Sequence, residues 1–186
     1  HSLLHLSSKF SYFLMLIMSV PVYIEAPVIL GWWLGVVPEN TVVYLRIILI
    51  YSVFATLANP LWISVLATGK LKKYQFFDNI VQATVLPLSF IAFKYFHVAS
   101  YGVFLILLIS EIIEIFIRAW IVLPLIYHKY TDYIREVIMP LLIVTVIAPL
   151  LPVMLSNNLG NNNILKFSTT CLVSVICSIF AIWFFG

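Results

Sequence analysis

Long apolar runs separated by short polar connectors make up almost the whole chain. A helix needs about 20 mostly apolar residues to cross about 30 Å of hydrocarbon, and six runs approach or exceed that length. Backbone polar groups inside lipid must be hydrogen-bonded within the protein, so apolar runs of this length indicate helices. The pattern therefore predicts six membrane-spanning helices, at about 10–37, 42–68, 74–93, 95–126, 137–155 and 167–185.

These runs predict a single architecture for residues 1–186. The fold class is all-α, a polytopic transmembrane helix bundle that forms one domain, because short connectors join neighbouring helices. The chain begins with His1 rather than Met, and its last apolar run reaches the final residue, Gly186. We therefore expect the chain to be a piece of a longer protein.

Composition narrows the class of protein further. The chain is 63% hydrophobic and 9% charged, with a formal net charge of +3. Soluble domains are about 45–50% apolar and about 25% charged. The composition therefore excludes a soluble enzyme and a disordered tail, and the dispersed charge excludes a nucleic-acid partner. Two cysteines are too few for a disulfide framework. The partner that the composition does indicate is the lipid bilayer.

The distribution of lysine and arginine predicts the orientation of the six spans. Both termini and the second and fourth connectors share one side, which carries Lys9, Lys70, Lys72, Lys73, Lys129 and Arg135. The opposite side carries Lys94 and Lys166, with Arg46 just inside a helix start. Basic residues concentrate on the cytoplasmic side of membrane proteins. We therefore predict that both termini are cytoplasmic.

Motifs of enzymes and metal sites are missing from the sequence. There is no GxSxG, HExxH, Walker A or CxxC pattern. Apart from His1 and His5 at the start of the chain, no two histidines have a metal-ligand spacing within one helix. We therefore predict no enzymatic activity, no cofactor and no metal.

Three charged residues lie inside the fourth run and are the sharpest candidates for function. Glu111, Glu114 and Arg118 have i, i+3 and i+7 spacing, which places them on one helical face. Charges inside a span are costly and usually face the bundle interior or a wet cavity. Two interpretations stay open, a self-neutralising structural pair of Glu114 with Arg118 and a polar stripe lining a substrate or proton path. Glu111 is the stronger path candidate, because it has no expected partner in its own helix except through Glu114.

Two further charges lie near the predicted outer edge of the first two spans. Glu25 stands between Pro21 and Pro27, which remove backbone hydrogen bonds from the first span. Transporters build substrate sites from broken helices of this kind, but a glutamate near the interface can also extend to lipid headgroups. Arg46 is the second candidate for a substrate or ion path, near the start of its span.

The remaining polar positions have simpler interpretations. Asn59 and Pro60 predict a kink in the second span or, alternatively, a hinge. Asp78 lies near the start of the predicted third span, where a carboxylate stabilises a helix N-terminus. A basic loop formed by Lys70, Lys72 and Lys73 could meet anionic lipid or a substrate pyrophosphate, or could simply set the cytoplasmic orientation.

One stretch of the sequence resembles a known family of transporters. The segments that carry the resemblance lie within residues 28–75 and are Trp33–Gly35 with Pro38 and Glu39, Asn59–Leu61, Ala67–Lys70 and Lys73–Gln75. They are similar to the C-terminal half of bacterial polysaccharide flippases, which export O-antigen and capsule and belong to the multidrug/oligosaccharidyl-lipid/polysaccharide superfamily. The following hairpins are similar mainly in their hydropathy.

The resemblance implies a specific activity and specific partners. The full protein would have 12–14 spans in two pseudo-symmetric halves and would lie in the bacterial inner membrane. It would move an undecaprenyl-pyrophosphate-linked oligosaccharide across that membrane by alternating access, together with other polysaccharide-assembly proteins. Basic cavity residues of relatives hold the substrate, and Arg118 is the arginine deepest in a span here. The alternatives are a multidrug-type exporter of the same superfamily and a membrane-embedded polysaccharide polymerase.

Overall fold

The computed structural model describes residues 2–96, 99–127, 129–158 and 163–185, which are mostly helical with no strand among them. The prediction of an all-α bundle is therefore confirmed. The helices are α1 (Ser2–Ile24), α2 (Ala26–Leu34), α3 (Thr41–Ala55), α4 (Ala58–Thr68), α5 (Leu71–Phe96), α6 (Gly102–Leu125), α7 (Tyr130–Tyr133), α8 (Met139–Ile147), α9 (Leu150–Asn158) and α10 (Asn163–Phe185). A π-helical turn, Ile134–Ile138, joins α7 to α8.

Five helical segments of the described chain are long and apolar enough to cross a membrane. They are Leu3–Ile24, Thr41–Thr68, Leu71–Tyr95, Tyr130–Leu155 and Lys166–Phe184. The remaining predicted span, the fourth at about 95–126, corresponds to α6, which has 24 residues but carries three charged side chains. Large apolar side chains such as Leu86 and Trp183 are more than three-quarters exposed on the outside of the bundle. Such a surface needs lipid around it, so the chain is a multi-pass membrane protein.

Helix boundaries differ from the predicted spans at both ends of the bundle. At one end, α5 continues to Phe96 and α6 begins only at Gly102, where hydropathy predicts an end at 93 and a start at 95. At the other end, the structure begins α1 at Ser2, α5 at Leu71 and the fifth helical segment at Tyr130, where hydropathy predicts starts at 10, 74 and 137. Hydropathy marks only the length inside hydrocarbon, whereas backbone hydrogen bonding continues through polar flanking residues. A helix can therefore extend beyond its apolar run.

Prolines interrupt three of the helical segments, including the first two, where Pro21, Pro27 and Pro60 predict breaks. The first segment breaks at Glu25, between α1 and α2, and the second breaks between Ala55 and Ala58, just before Pro60. The π-helical turn precedes Pro140, and the chain turns again at Pro149. Each proline lacks the N–H that would bond the carbonyl four residues earlier, so the helix bends or restarts there.

The helix α6 lies in the middle of one half of the bundle, where it packs against α3, α4 and α5. The other half is built on α1, which packs against α3, α8 and α10. Residues with no measurable exposure mark the core between these helices: Tyr12, Leu61, Val122, Leu123, Tyr133, Val137 and Val144. In contrast, α5 contacts mainly α6 and leaves most of its surface outside.

Small residues allow α10 to pack closely against its neighbours. Thr170, Ser174 and Ser178 recur every four residues on one face of this helix, and all three are fully buried. Small hydroxyl residues at this spacing let helix backbones approach closely in membranes. Hydropathy alone does not reveal this face, because the residues between these positions are uniformly apolar.

Candidate functional site

The guanidinium group of Arg118 binds three carboxylates at once. Its Nε donates to Asp78 Oδ1 at 2.7 Å, its Nη1 donates to Glu111 Oε1 at 2.8 Å, and its Nη2 donates to Glu114 Oε2. We call these four residues the Arg118 cluster. Arginine suits such a site because its planar group presents five N–H donors in a fixed arrangement.

The positions of these residues on α5 and α6 explain why they meet. Glu111, Glu114 and Arg118 share one face of α6, as their spacing predicts. The side chain of Arg118 is long enough to reach Glu111 two turns away, so Glu111 has a direct partner in its own helix. The prediction that Glu111 lacks such a partner overlooked this reach.

Asp78 is the functional candidate that sequence reasoning missed. Its interpretation as a helix-start residue is wrong, because α5 begins at Leu71 and has no acidic residue in its first turn. Asp78 lies two turns inside the helix and pairs with α6 instead. The available signal was its four-residue spacing from Tyr74 and Gln82, which marks one polar face of α5.

The Arg118 cluster is buried and unevenly charged. The side chains of Arg118, Glu111 and Glu114 are 8%, 6% and 3% exposed, and that of Asp78 is 20% exposed. With all three carboxylates ionised, one positive and three negative charges leave a net charge of −2. Within the described residues, no second cation pairs with these carboxylates. The cluster can therefore accept a further positive charge.

Two cavities reach the Arg118 cluster. One, of about 230 Å³, is lined by Tyr51, Gln82, Glu111 and Glu114 together with apolar residues of α5 and α6. The other, of about 240 Å³, lies beside the break between α3 and α4; its polar lining comes from Asn59, Tyr74, Gln75, Asp78 and Asn79. Arg118 thus bonds carboxylates that belong to two different cavities.

Glu25 and Arg46 lie at a separate place, around the break between α1 and α2. Glu25 is only 2% exposed, so its side chain is inside the bundle rather than extended from its surface. Pro27 has no N–H for the carbonyl of Tyr23, four residues earlier. Arg46 fills that role, since its Nε donates to Tyr23 O at 3.2 Å and its guanidinium lies 5.3 Å from the centre of the Tyr23 ring.

This contact predicts energetic coupling between Arg46 and Pro27. Replacing Arg46 with glutamine should cost about 1.5–3 kcal/mol, because the Tyr23 carbonyl loses a charged donor. In a Pro27→Ala background the new backbone N–H takes over part of that role, so the same change should cost about 1 kcal/mol less. Unfolding free energies of the two single variants and the double variant measure this coupling. Strictly additive effects would contradict it.

The three lysines of the basic loop are exposed and line a wide crevice between α5 and α6. No residue of the Arg118 cluster is among the described residues that line this crevice. The structure therefore separates the predicted candidates into three places: the cluster, the α1–α2 break and this crevice.

Metal and thiol chemistry have no assembled site in the described residues. No group of three or more histidine, cysteine, aspartate or glutamate side chains there could hold a metal ion. His1, His97 and His128 lie outside the described residues. Cys171 and Cys177 are free thiols on α10.

Comparison of the chain with protein-family models, with curated proteins and with solved structures finds no match. Function is therefore inferred from the residues and their geometry.

Proposed function

We propose that the chain belongs to a membrane transporter, the C-terminal half of a flippase that moves lipid-linked oligosaccharide precursors across the bacterial inner membrane by alternating access. The observation that carries the proposal is the Arg118 cluster, a buried arginine that bridges two polar cavities in a bundle of broken helices. The resemblance of residues 28–75 to polysaccharide flippases supplies the substrate class.

The chemistry of the cluster suits coupled transport. An arginine can bind a phosphate through bidentate hydrogen bonds, but the donors of Arg118 are occupied by carboxylates in this arrangement. A proton or cation that binds Glu111, Glu114 or Asp78 weakens those bonds and frees the guanidinium for a pyrophosphate. Binding of the coupling cation and binding of the anionic substrate then support each other through one arginine.

The broken helices supply the movement that alternating access requires. The break between α3 and α4 lies beside the cavity that contains Asp78, and α3 and α4 both pack on α6. A change in the angle at this break therefore alters one cavity at the cluster. Movements of this kind, in which one group of helices rocks against another around a fixed site, are typical of transporters.

The orientation forms part of the proposal. The starts of α1 and α5 and the end of α6 belong to the end of the bundle that carries Lys9, the basic loop, Lys129 and Arg135. Under the positive-inside rule this end faces the cytoplasm. A flippase in this orientation receives the pyrophosphate-linked substrate at the cytoplasmic leaflet.

Deleting the gene that encodes the full-length protein tests this function. We expect loss of surface polysaccharide and accumulation of the lipid-linked oligosaccharide on the cytoplasmic leaflet, with restoration by the intact gene. Surface polysaccharide is measured by gel analysis of extracts, and the intermediate by lipid extraction. Normal export in the deletion strain would overturn the proposal.

A multidrug-type exporter is the second candidate, and one observation favours it. A cavity of about 250 Å³ between α1, α3 and the α8–α9 segment is almost entirely apolar, with Tyr23, Phe54 and Pro149 among its lining residues. Such a cavity suits a hydrophobic small molecule. Increased sensitivity of the deletion strain to lipophilic cations, with unchanged surface polysaccharide, would favour this function over the flippase.

A further inference from the structure

A crevice of about 920 Å³ lies between the start of α5 and the end of α6. Its apolar wall is made of Leu71, Phe77, Trp120, Ile121, Pro124 and Leu125. Lys70, Lys72 and Lys73 line the same crevice, and all three are exposed. The crevice therefore combines a long apolar wall with three positive charges at the membrane edge.

Among the described residues, no carboxylate forms an ion pair with the three ammonium groups. None of the described residues that line the crevice is acidic. Within the part of the chain that the structure describes, neither Lys70, Lys72 nor Lys73 takes part in an ion pair. A ligand that fits this crevice must therefore be anionic at one end and apolar along its length.

The surrounding structure holds the charges and the apolar wall in place. Gly69 ends α4 with φ +69°, a left-handed conformation that glycine adopts without strain, and its N–H bonds Leu66 O at 3.2 Å. The chain reverses there, so the lysines come directly before and within the first turn of α5. Trp120 is 64% exposed, and tryptophan side chains favour the boundary between lipid and water.

We propose that this crevice binds an anionic phospholipid of the surrounding membrane, with the phosphate among the three lysine ammonium groups and an acyl chain along the Phe77–Trp120 wall. Clusters of basic residues next to a transmembrane helix attract anionic lipids electrostatically. The apolar wall adds hydrophobic contact with the acyl chain, which a flat basic surface does not provide. The proposal is independent of the transport function, because it concerns a lipid of the bilayer itself.

Quenching of Trp120 fluorescence tests the proposal on the full chain in lipid nanodiscs. Brominated phosphatidylglycerol and brominated phosphatidylcholine are compared as quenchers, and the signal of Trp120 is obtained as the difference from a Trp120→Phe variant. We expect much stronger quenching by the anionic lipid. Native mass spectrometry of retained lipid gives a second readout that does not depend on Trp120.

Two pairs of substitutions separate the crevice from the general charge of this end of the bundle. Lys70→Gln with Lys73→Gln should lower the affinity for phosphatidylglycerol relative to phosphatidylcholine by about 25-fold, at about fivefold for each lysine. Lys129→Gln with Arg135→Gln removes the same charge from exposed positions outside the crevice and should leave the ratio nearly unchanged.

Three results would overturn the proposal. The first is equal quenching by both lipids, and the second is an equal loss of preference in both pairs of variants. The third is displacement of the brominated lipid by inorganic pyrophosphate at concentrations where inorganic phosphate has no effect, which would assign the crevice to a pyrophosphate ligand. Circular dichroism of each variant confirms that its helices are intact before the comparison.

Discussion

Replacing Arg118 with glutamine should lower the free energy of unfolding by about 3–5 kcal/mol, the largest effect that we expect from a single substitution in this chain. The change leaves Asp78, Glu111 and Glu114 buried next to one another without their shared cation. Thermal or denaturant unfolding in detergent measures the loss. The free energy of unfolding of Arg118→Lys should lie between those of the unsubstituted protein and Arg118→Gln. An ammonium group retains the charge but cannot bind three carboxylates in one plane.

The exposed residue Arg135 provides the matched control for this substitution. Arg135→Gln makes the same chemical change on the outside of the π-helical turn and should alter stability by less than about 0.5 kcal/mol. Equal stability of Arg118→Gln and Arg135→Gln would show that the carboxylates do not depend on Arg118. The ion pairs of the cluster would then be absent from the folded protein in its membrane.

Neutralising the whole Arg118 cluster should restore most of the stability but abolish transport. In a variant that combines Asp78→Leu, Glu111→Met, Glu114→Met and Arg118→Met, neither a charge nor an unpaired polar side chain remains in the cluster. Replacement of a buried ion pair by well-packed hydrophobic residues of similar volume is often neutral or stabilising. The coupling proposed above requires both a cation-binding carboxylate and a phosphate-binding arginine, and this variant has neither.

Complementation of the deletion strain with this neutral variant measures transport, and unfolding of the purified protein measures stability. We expect near-normal stability together with at least a tenfold reduction in surface polysaccharide. Normal export by a stable neutral variant would assign the cluster a purely structural role. Because the single variant Arg118→Gln disturbs both properties, only the neutral variant separates a folding defect from a transport defect.

Much of the fold can be predicted from the order of residues along the chain. Apolar length alone places the helices, since a chain in lipid has no other way to satisfy its backbone. Proline positions predict where helices break, and the spacing of Glu111, Glu114 and Arg118 predicts their common face. Each of these inferences concerns residues within one helix, where geometry is the same in every protein.

Contacts between helices could not be predicted in the same way. The pairing of Asp78 with Arg118 depends on the packing of α5 beside α6, and 40 positions separate the two residues. The contact of Arg46 with the Tyr23 carbonyl needs both the missing N–H of Pro27 and the packing of α3 beside the α1–α2 break. Neither hydropathy nor charge spacing contains that information.

By itself, the sequence determined that this protein is a polytopic helical bundle, and it limited the charges within the membrane to a few residues. Only the tertiary structure decided which of those charges meet: Asp78 joins the Arg118 cluster, whereas Glu25 and Arg46 lie at another break. The physical reason is that lipid imposes helix formation along the chain, whereas helix packing depends on side-chain shapes from distant segments. The three lysines show the same division, since their charge is evident in the sequence and their apolar crevice exists only once α5 and α6 have packed.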